Sequence, residues 1–363
     1  MLSNRVRVVV PVYKKEISTE ENISLASTKE KLSKYGITFL TPEGLDIVEF
    51  LEMMPGAKEC RMKQDFFDGF SGYNRLMLSK ELYQEFCDYE YVLICQQDVL
   101  ALADRLETFL DMPYDYIGAP IPHMGPWSPK LYTGNGGFSL RRVSAVLKLL
   151  NKHREEAENI TDNEDIFFSN AGEKYPEEFK TAPIHVSSDF ASNMYHEKLY
   201  RLNNNRLPMA VHGFCTGDVE FLKEKVLCRS PKFQHLDQQL LLGWEDDWRR
   251  FLKFVREAGK IVLYGAGDAA KVFRKNIEIL GKDVEAYIVS DEQKVPTTVD
   301  GIPAYHLSEY PDDYEKASVL IAISTKYKIL PDFETKLREK GVRRIFHMSN
   351  ELWHKGINEL IEV

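Results

Sequence analysis

The run Tyr91-Val92-Leu93-Ile94-Cys95 is apolar from end to end and stops abruptly at Gln96-Gln97-Asp98. Five consecutive apolar residues between polar segments suit an interior strand of a covered sheet. The preceding sequence fits such a sheet. A first strand at Arg5 to Tyr13 is closed by Pro11. It is followed by a helical segment from Glu20 to Tyr35, a short strand at Ile37-Thr38-Phe39-Leu40, and a helical segment from Asn74 to Phe86. Strand and helix in alternation predict an α/β fold with a largely parallel sheet. Asp98 then stands at the C-terminal end of a strand, where open α/β sheets bind ligands. The same residues also suit a strand that simply exits into a solvated loop.

After Asp98 the pattern changes. Asp115 to Pro120 reads as a short strand. A loop rich in Pro, Gly and Trp follows, with Trp127 available to stack on a sugar or to anchor the loop. Next come Gly134-Asn135-Gly136-Gly137-Phe138-Ser139-Leu140-Arg141 and an amphipathic helix from Val143 to Lys152. A second unit opens with a charged helix from Trp244 to Glu257. The stretch from Lys260 to Ala270 then reads as strand, glycine turn and helix, with further strands at Val284 to Val289, Val319 to Ile323 and Arg344 to Phe346. A chain of 363 residues with 44% hydrophobic content suits two domains, each with its own core. The expected division is 1–243 and 244–363, the latter a small doubly wound, Rossmann-like unit.

Composition narrows the function classes. The net charge is −9 and the basic residues are scattered, whereas nucleic-acid binding needs a basic face. The five cysteines, Cys60, Cys87, Cys95, Cys215 and Cys228, show neither Cys-x-x-Cys pairing nor zinc-ligand spacing, which suggests free thiols in the cytoplasm. The apolar run Val6 to Val12 has strand length and is too short for a signal peptide or a membrane span. Membrane association would then be peripheral or through a partner.

Four polar sites end predicted elements: Asp98, Asn135-Gly136-Gly137, Glu164-Asp165 and His212. Each has a plain structural reading. Asn135-Gly136 suits a type I′ hairpin turn. Thr161 and Glu164 suit a capping box at the start of a helix. His212 suits a satisfied, partly buried histidine. In the second unit, Gly265-x-Gly267-x-x-Ala270 with Asp291 at the end of the next strand fits a dinucleotide fingerprint in outline. That leaves open a NAD(P)-dependent oxidoreductase, for which the first unit offers no hydride-transfer site. It also leaves the second unit open as a nucleotide binder or a scaffold.

In order along the chain stand Val9-Val10-Pro11-Val12-Tyr13, Gly72-Tyr73-Asn74, Gln96-Gln97-Asp98, Tyr114 to Pro120, Gly134 to Arg141, Glu164-Asp165-Ile166-Phe167-Phe168 and Ala210-Val211-His212-Gly213-Phe214. Together, over roughly residues 5 to 220, they resemble GT-A-fold nucleotide-sugar glycosyltransferases. More closely, they resemble a bacterial family of previously unassigned function linked to surface polysaccharide genes.

The resemblance implies a UDP-linked donor and an acceptor that is a saccharide, a lipid-linked glycan or a glycoprotein. Pro11, Val12 and Tyr13 would wall the base, and Asn74 and Arg75 would touch base or ribose. Gln96 and Gln97 would line the donor site, and Asn135, Gly136 and Gly137 would admit the donor sugar. Asp98 and His212 would hold Mn2+ or Mg2+. Asp165 would be the general base of an inverting transfer. Glu164 is the alternative base, with Asp165 then binding the acceptor. The family's usual Asp-x-Asp is altered, because Gln96 stands where its first carboxylate would be, and the lost carboxylate leaves open a non-catalytic nucleotide-sugar-binding or assembly module. The second unit resembles small Rossmann-like domains attached to sugar-modifying enzymes, and homo-oligomerisation stays open.

Overall fold

The computed structural model describes residues 5–124, 129–160, 163–226, 242–323 and 330–361. Two compact units are present, the first made chiefly of residues before Leu242 and the second chiefly of residues from Leu242 onward.

The first unit is built on β1 (Val6–Pro11), β2 (Ile37–Pro42), β3 (Lys58–Met62), β4 (Tyr91–Cys95), β6 (Tyr116–Met124) and β7 (Pro129–Arg142), in the order β3-β2-β1-β4-β7-β6. β1 runs parallel to β2 and β4, β2 runs parallel to β3, and β7 runs antiparallel to β4. The sheet is therefore mixed, as the α/β reading expects. β1 and β4 are buried along their whole length. Successive side chains point to opposite faces, so Val8, Val10, Leu93 and Cys95 enter one core while Val9, Val92 and Ile94 enter the other. The first core is completed by Leu25 and Leu32 of helix α1 (Thr19–Leu32), and the second by Val146 and Leu150 of helix α4 (Val143–Lys152). A capping box starts this helix: the Ser18 hydroxyl accepts from the Glu21 N–H at 3.3 Å, and the Glu21 carboxylate accepts from the Ser18 N–H at 2.8 Å.

Beyond the main sheet, β5 (Val99–Ala101), β8 (Ala191–Asn193) and β9 (Ala210–His212) pair in the order β5-β9-β8. The register sets Val99 opposite His212, and the Gly213 N–H donates to the Asp98 carbonyl at 3.0 Å. Two segments more than a hundred residues apart are thus stitched together at the end of β4.

Three details depart from the sequence reading. The predicted helix from Asn74 to Phe86 is two helices, α2 (Gly69–Met77) and α3 (Lys80–Gln84). The break falls at Ser79, whose hydroxyl caps the second helix by accepting from the Leu82 N–H at 3.2 Å. Asn135-Gly136 is not a hairpin turn. It lies inside β7, and neither residue has the positive φ that a type I′ turn requires. The charged strand β3 lacks apolar periodicity; it sits at the sheet edge, where charge discourages pairing with other chains. The expected cap at Thr161 and the stacking role of Trp127 lie outside the described residues.

The second unit has its own sheet, of β10 (Lys260–Tyr264), β11 (Val284–Val289), β12 (Thr298–Val299), β13 (Ile302–His306), β14 (Ala317–Ile321) and β15 (Arg344–His347). The order is β12-β13-β11-β10-β14-β15, parallel apart from the β12–β13 hairpin. Asp300 and Gly301 turn that hairpin at φ of 51° and 81°. Core clusters lie on both faces, as in doubly wound units. Among the described residues, no helix is long and apolar enough to cross a membrane.

Candidate functional site

A cleft of about 800 Å3 opens at the C-terminal ends of β1 and β4. Its lining includes Pro11, Tyr13, Asn74, Gln96, Gln97, Asp98, Asn135, Gly136, Gly137, Glu164, Asp165 and His212, so the fold gathers twelve of the fourteen residues expected from sequence. Two fall elsewhere. Val12 is fully buried in the core behind the cleft, because strand alternation turns it away from Tyr13. Arg75 is exposed and turned back on its own helix, donating to the Ser71 hydroxyl at 3.2 Å and the Asp65 carbonyl at 2.7 Å.

Asp98, His212 and Gln96 form one cluster. The Nε2 atom of His212 lies 3.1 Å from Asp98 Oδ1 and 3.1 Å from Gln96 Oε1. Gln96 is oriented by its Nε2, which donates to the Tyr73 hydroxyl at 2.8 Å. Burial opposes the charge on His212, but the Asp98 carboxylate prevails and raises the imidazole above its usual value. Asp98 is held below the ordinary carboxylate range: partial desolvation inside the cleft works against ionisation, and His212 outweighs it. The Asp98 side chain is half exposed, while His212 is buried. A Cβ on Gly137 would collide with the His212 ring and the Gln96 amide, so glycine is needed beside this cluster.

One carboxylate oxygen, one imidazole nitrogen and one amide oxygen converge there, and such donors suit Mg2+ or Mn2+. Among the described residues, no group of three or more His, Cys, Asp or Glu is arranged to hold a metal ion. Ligand oxygens would therefore have to complete the shell. The lining as a whole carries Glu20, Glu21, Asp98, Glu164 and Asp165 against Lys14 and His212. Lys14 is itself paired with Glu21 at 3.0 Å.

Glu164 and Asp165 open helix α5 (Glu164–Lys174), and Asn74 of α2 accepts from the Glu164 N–H at 3.3 Å. The two carboxylates differ in surroundings. Glu164 Oε1 accepts from Arg141 Nη2 at 2.9 Å, with both side chains buried. Asp165 Oδ2 accepts from the Gly136 N–H at 3.3 Å and the Asn135 amide at 3.5 Å, and its Oδ1 is buried without a partner. Burial, reinforced by the adjacent Glu164 charge, pushes the Asp165 carboxyl up to about 7.

Arg141 drew no separate notice in the sequence, although a signal was present. In Phe138-Ser139-Leu140-Arg141, apolar and polar residues alternate along β7, so Ser139 and Arg141 share the face opposite the apolar pair. The exposed Phe70, on the lip of the cleft with Tyr13, also escaped notice. It stands at no strand end and so carries no positional signal in the sequence.

In the second unit, Gly265 has a φ of 110° and Gly267 precedes helix α6 (Asp268–Ile279), so the strand, glycine turn and helix form as read. Asp291 Oδ1 accepts from both the N–H and the hydroxyl of Ser308, at 2.9 and 3.0 Å. The exposed carboxylate of Asp268 occupies the first turn of α6, an unfavourable neighbour for a pyrophosphate.

A family model described as a protein of unknown function (DUF5672) matches residues 57–212. No curated protein matches the chain. Among solved structures, the apo form of the glycosyltransferase GlyE of Streptococcus pneumoniae TIGR4 is similar at a TM-score of 0.37 and 11% identity, over 95% of this chain and 96% of that one. An active-site mutant of LgtC is similar at 0.38 and 16%, over 57% of this chain and 86% of that one. WbbM, a bifunctional enzyme, is similar at 0.38 and 11%, over 58% of this chain and 45% of that one. At these TM-scores the likenesses carry no argument about chemistry.

Proposed function

We propose that the chain is a glycosyltransferase moving a sugar from a nucleoside-diphosphate donor, of which UDP is the expected nucleotide, to a hydroxyl of a saccharide, lipid-linked glycan or glycoprotein. One observation carries the reading. A single cleft holds a cation-type donor cluster of Asp98, His212 and Gln96 together with a buried carboxyl, Asp165, raised to about 7.

The acidic lining bears on the first half of this pair. With Glu164 paired to Arg141 and the Asp165 carboxyl raised, Glu20, Glu21 and Asp98 still outnumber Lys14 and His212, so a diphosphate entering the cleft is favoured by accompanying positive charge. Asp98, His212 and Gln96 would hold a divalent cation there, which would neutralise charge on the departing diphosphate. Tyr13, largely exposed at the end of β1, is offered as a stacking surface for the base. Gly136 and Gly137 line the cleft and would meet the donor sugar with bare backbone, the space of their missing side chains being taken by Glu164 and His212.

Asp165 bears on the second half. In an inverting displacement, the acceptor oxygen forms its bond to the anomeric carbon as the bond to the diphosphate oxygen breaks. The hydroxyl proton passes to a carboxylate, a role for which a proton affinity near neutrality is well matched. The cytoplasm, where the free thiols would stay reduced, is the proposed location.

The test is release of nucleoside diphosphate from a panel of nucleotide sugars with an oligosaccharide acceptor, with and without manganese. Turnover by the wild type that is lost in a folded Asp98→Asn variant supports the reading. A variant as active as the wild type would end it. If NMR shows the donor anomer retained in the product, the role of Asp165 as base in an inverting step is wrong.

A further inference from the structure

We infer that Arg141 is a positioning residue that holds Glu164 as a fixed counter-ion and pins the backbone at Gly136, leaving Asp165 as the carboxylate that exchanges a proton with the bound ligand. The inference rests on the transfer reading above and decides between the two adjacent acids.

The geometry is that of a clamp. Arg141 is completely buried, yet each arm of its guanidinium has a partner. Nε donates to the Ser139 hydroxyl at 2.9 Å, Nη1 to the Tyr83 hydroxyl at 2.9 Å, and Nη2 to Glu164 Oε1 at 2.9 Å. Its flat faces lie against Tyr116 and Phe168, with the guanidinium carbon 5.5 and 5.0 Å from the two ring centres. A buried carboxylate held by a buried guanidinium is fixed in place, since separating the pair would leave both charges buried and uncompensated.

The same side chain reaches Asp165 through one residue. The Gly136 carbonyl accepts from the Ser139 hydroxyl at 2.8 Å and from Arg141 Nη2 at 3.4 Å, and the Gly136 N–H donates to Asp165 Oδ2 at 3.3 Å. A Cβ at Gly136 would fall onto the Glu164 carboxylate, so this residue is pressed between the two acids. The charged and titratable groups that act on Asp165 are Glu164 on its own helix, Arg141 on β7, Tyr116 on β6 and His212 on β9. Only the first two are altered in the test.

Asp165 is followed by carboxyl 13C NMR against pH in full-length protein labelled at aspartate, in four forms. In Arg141→Met the uncompensated Glu164 charge should move the Asp165 midpoint up by about one pH unit or more. In Glu164→Gln the uncompensated guanidinium should move it down. In the double variant, Arg141→Met with Glu164→Gln, both charges are gone and the midpoint should return to near the wild-type value. If Arg141→Met does not fold, the other two comparisons still decide. Midpoints that ignore these changes, or a double variant that does not return, overturn the inference. Sugar transfer gives the second readout. In Glu164→Gln the rise of rate with pH should persist with its midpoint moved down, whereas loss of that rise would make Glu164 the proton carrier. A wild type that transfers no sugar would remove the transfer reading, while the four titrations would still report on the clamp.

Discussion

Asp165 and Glu164 are neighbours in sequence and both buried, but they are held in opposite ways. Each has one buried oxygen with no partner, but the other oxygen of Glu164 is fixed by a guanidinium, whereas that of Asp165 has only backbone and amide donors. Two expected outcomes follow for Asp165. The first concerns rate: as a general base, Asp165→Asn should lower turnover by about 10²–10⁴-fold with substrate affinity little changed, and the wild-type rate should climb with pH through about 7 as the carboxyl ionises. Initial rates from pH 5 to 9 check both. The second concerns stability. The folded chain keeps this proton up to about 7, while the unfolded chain releases it near 3.8. Between those values the unfolded state binds fewer protons, so stability falls as pH rises. The loss is on the order of a few kcal/mol at full ionisation. Urea unfolding at pH 5 and pH 8 should show this fall in the wild type, and Asp165→Asn should lack that part of it.

Elements fix where such side chains arrive, and they differ in how plainly their residues announce them. β1 and β4 were legible because strands buried on both faces are apolar throughout, and the ends of those strands marked Tyr13 and Asp98. Asn135-Gly136 misled because its composition is that of a turn, while pairing within the sheet keeps it extended in β7. Glycine serves there for close approach: a side chain at Gly137 would meet His212. Gly137→Ala should therefore separate His212 from Asp98 and cost about 1–3 kcal/mol of stability through overpacking. Denaturant midpoints measure the cost, and manganese binding by calorimetry in the presence of UDP measures the damaged cluster. The break between α2 and α3 was hidden because Ser79 sits in a sequence of good helix formers. Ser79→Ala should cost about 1 kcal/mol as a lost cap, read from the shift of the urea midpoint.

At the scale of the whole chain, the composition already excluded a basic nucleic-acid face, and the alternation of strand and helix foretold two sheets. What remained hidden was convergence. The meeting of His212 with Asp98 was implied only by the resemblance, and Arg141 was not expected as the partner of Glu164, because each relation is made by packing between elements remote in sequence. The net charge of −9 and the acidic cleft predict that UDP binds at least about tenfold more weakly after chelation of divalent cations, since repulsion at close range then goes unanswered. Calorimetry with UDP in EDTA and in manganese checks this.

The pairing of Val99 with His212 also has a meaning in time. A sliding of β9 by one residue against β5 would exchange His212 for Val211 and turn the imidazole to the other side. The residues around Asp98 emerge early in synthesis and can pair β1, β2 and β4 among themselves, but their imidazole arrives over a hundred residues later. Contacts so distant in sequence form slowly. A nascent chain would thus hold a nearly complete sheet with an unfinished cleft, and the capacity to bind a charged donor would be among the last properties it acquires.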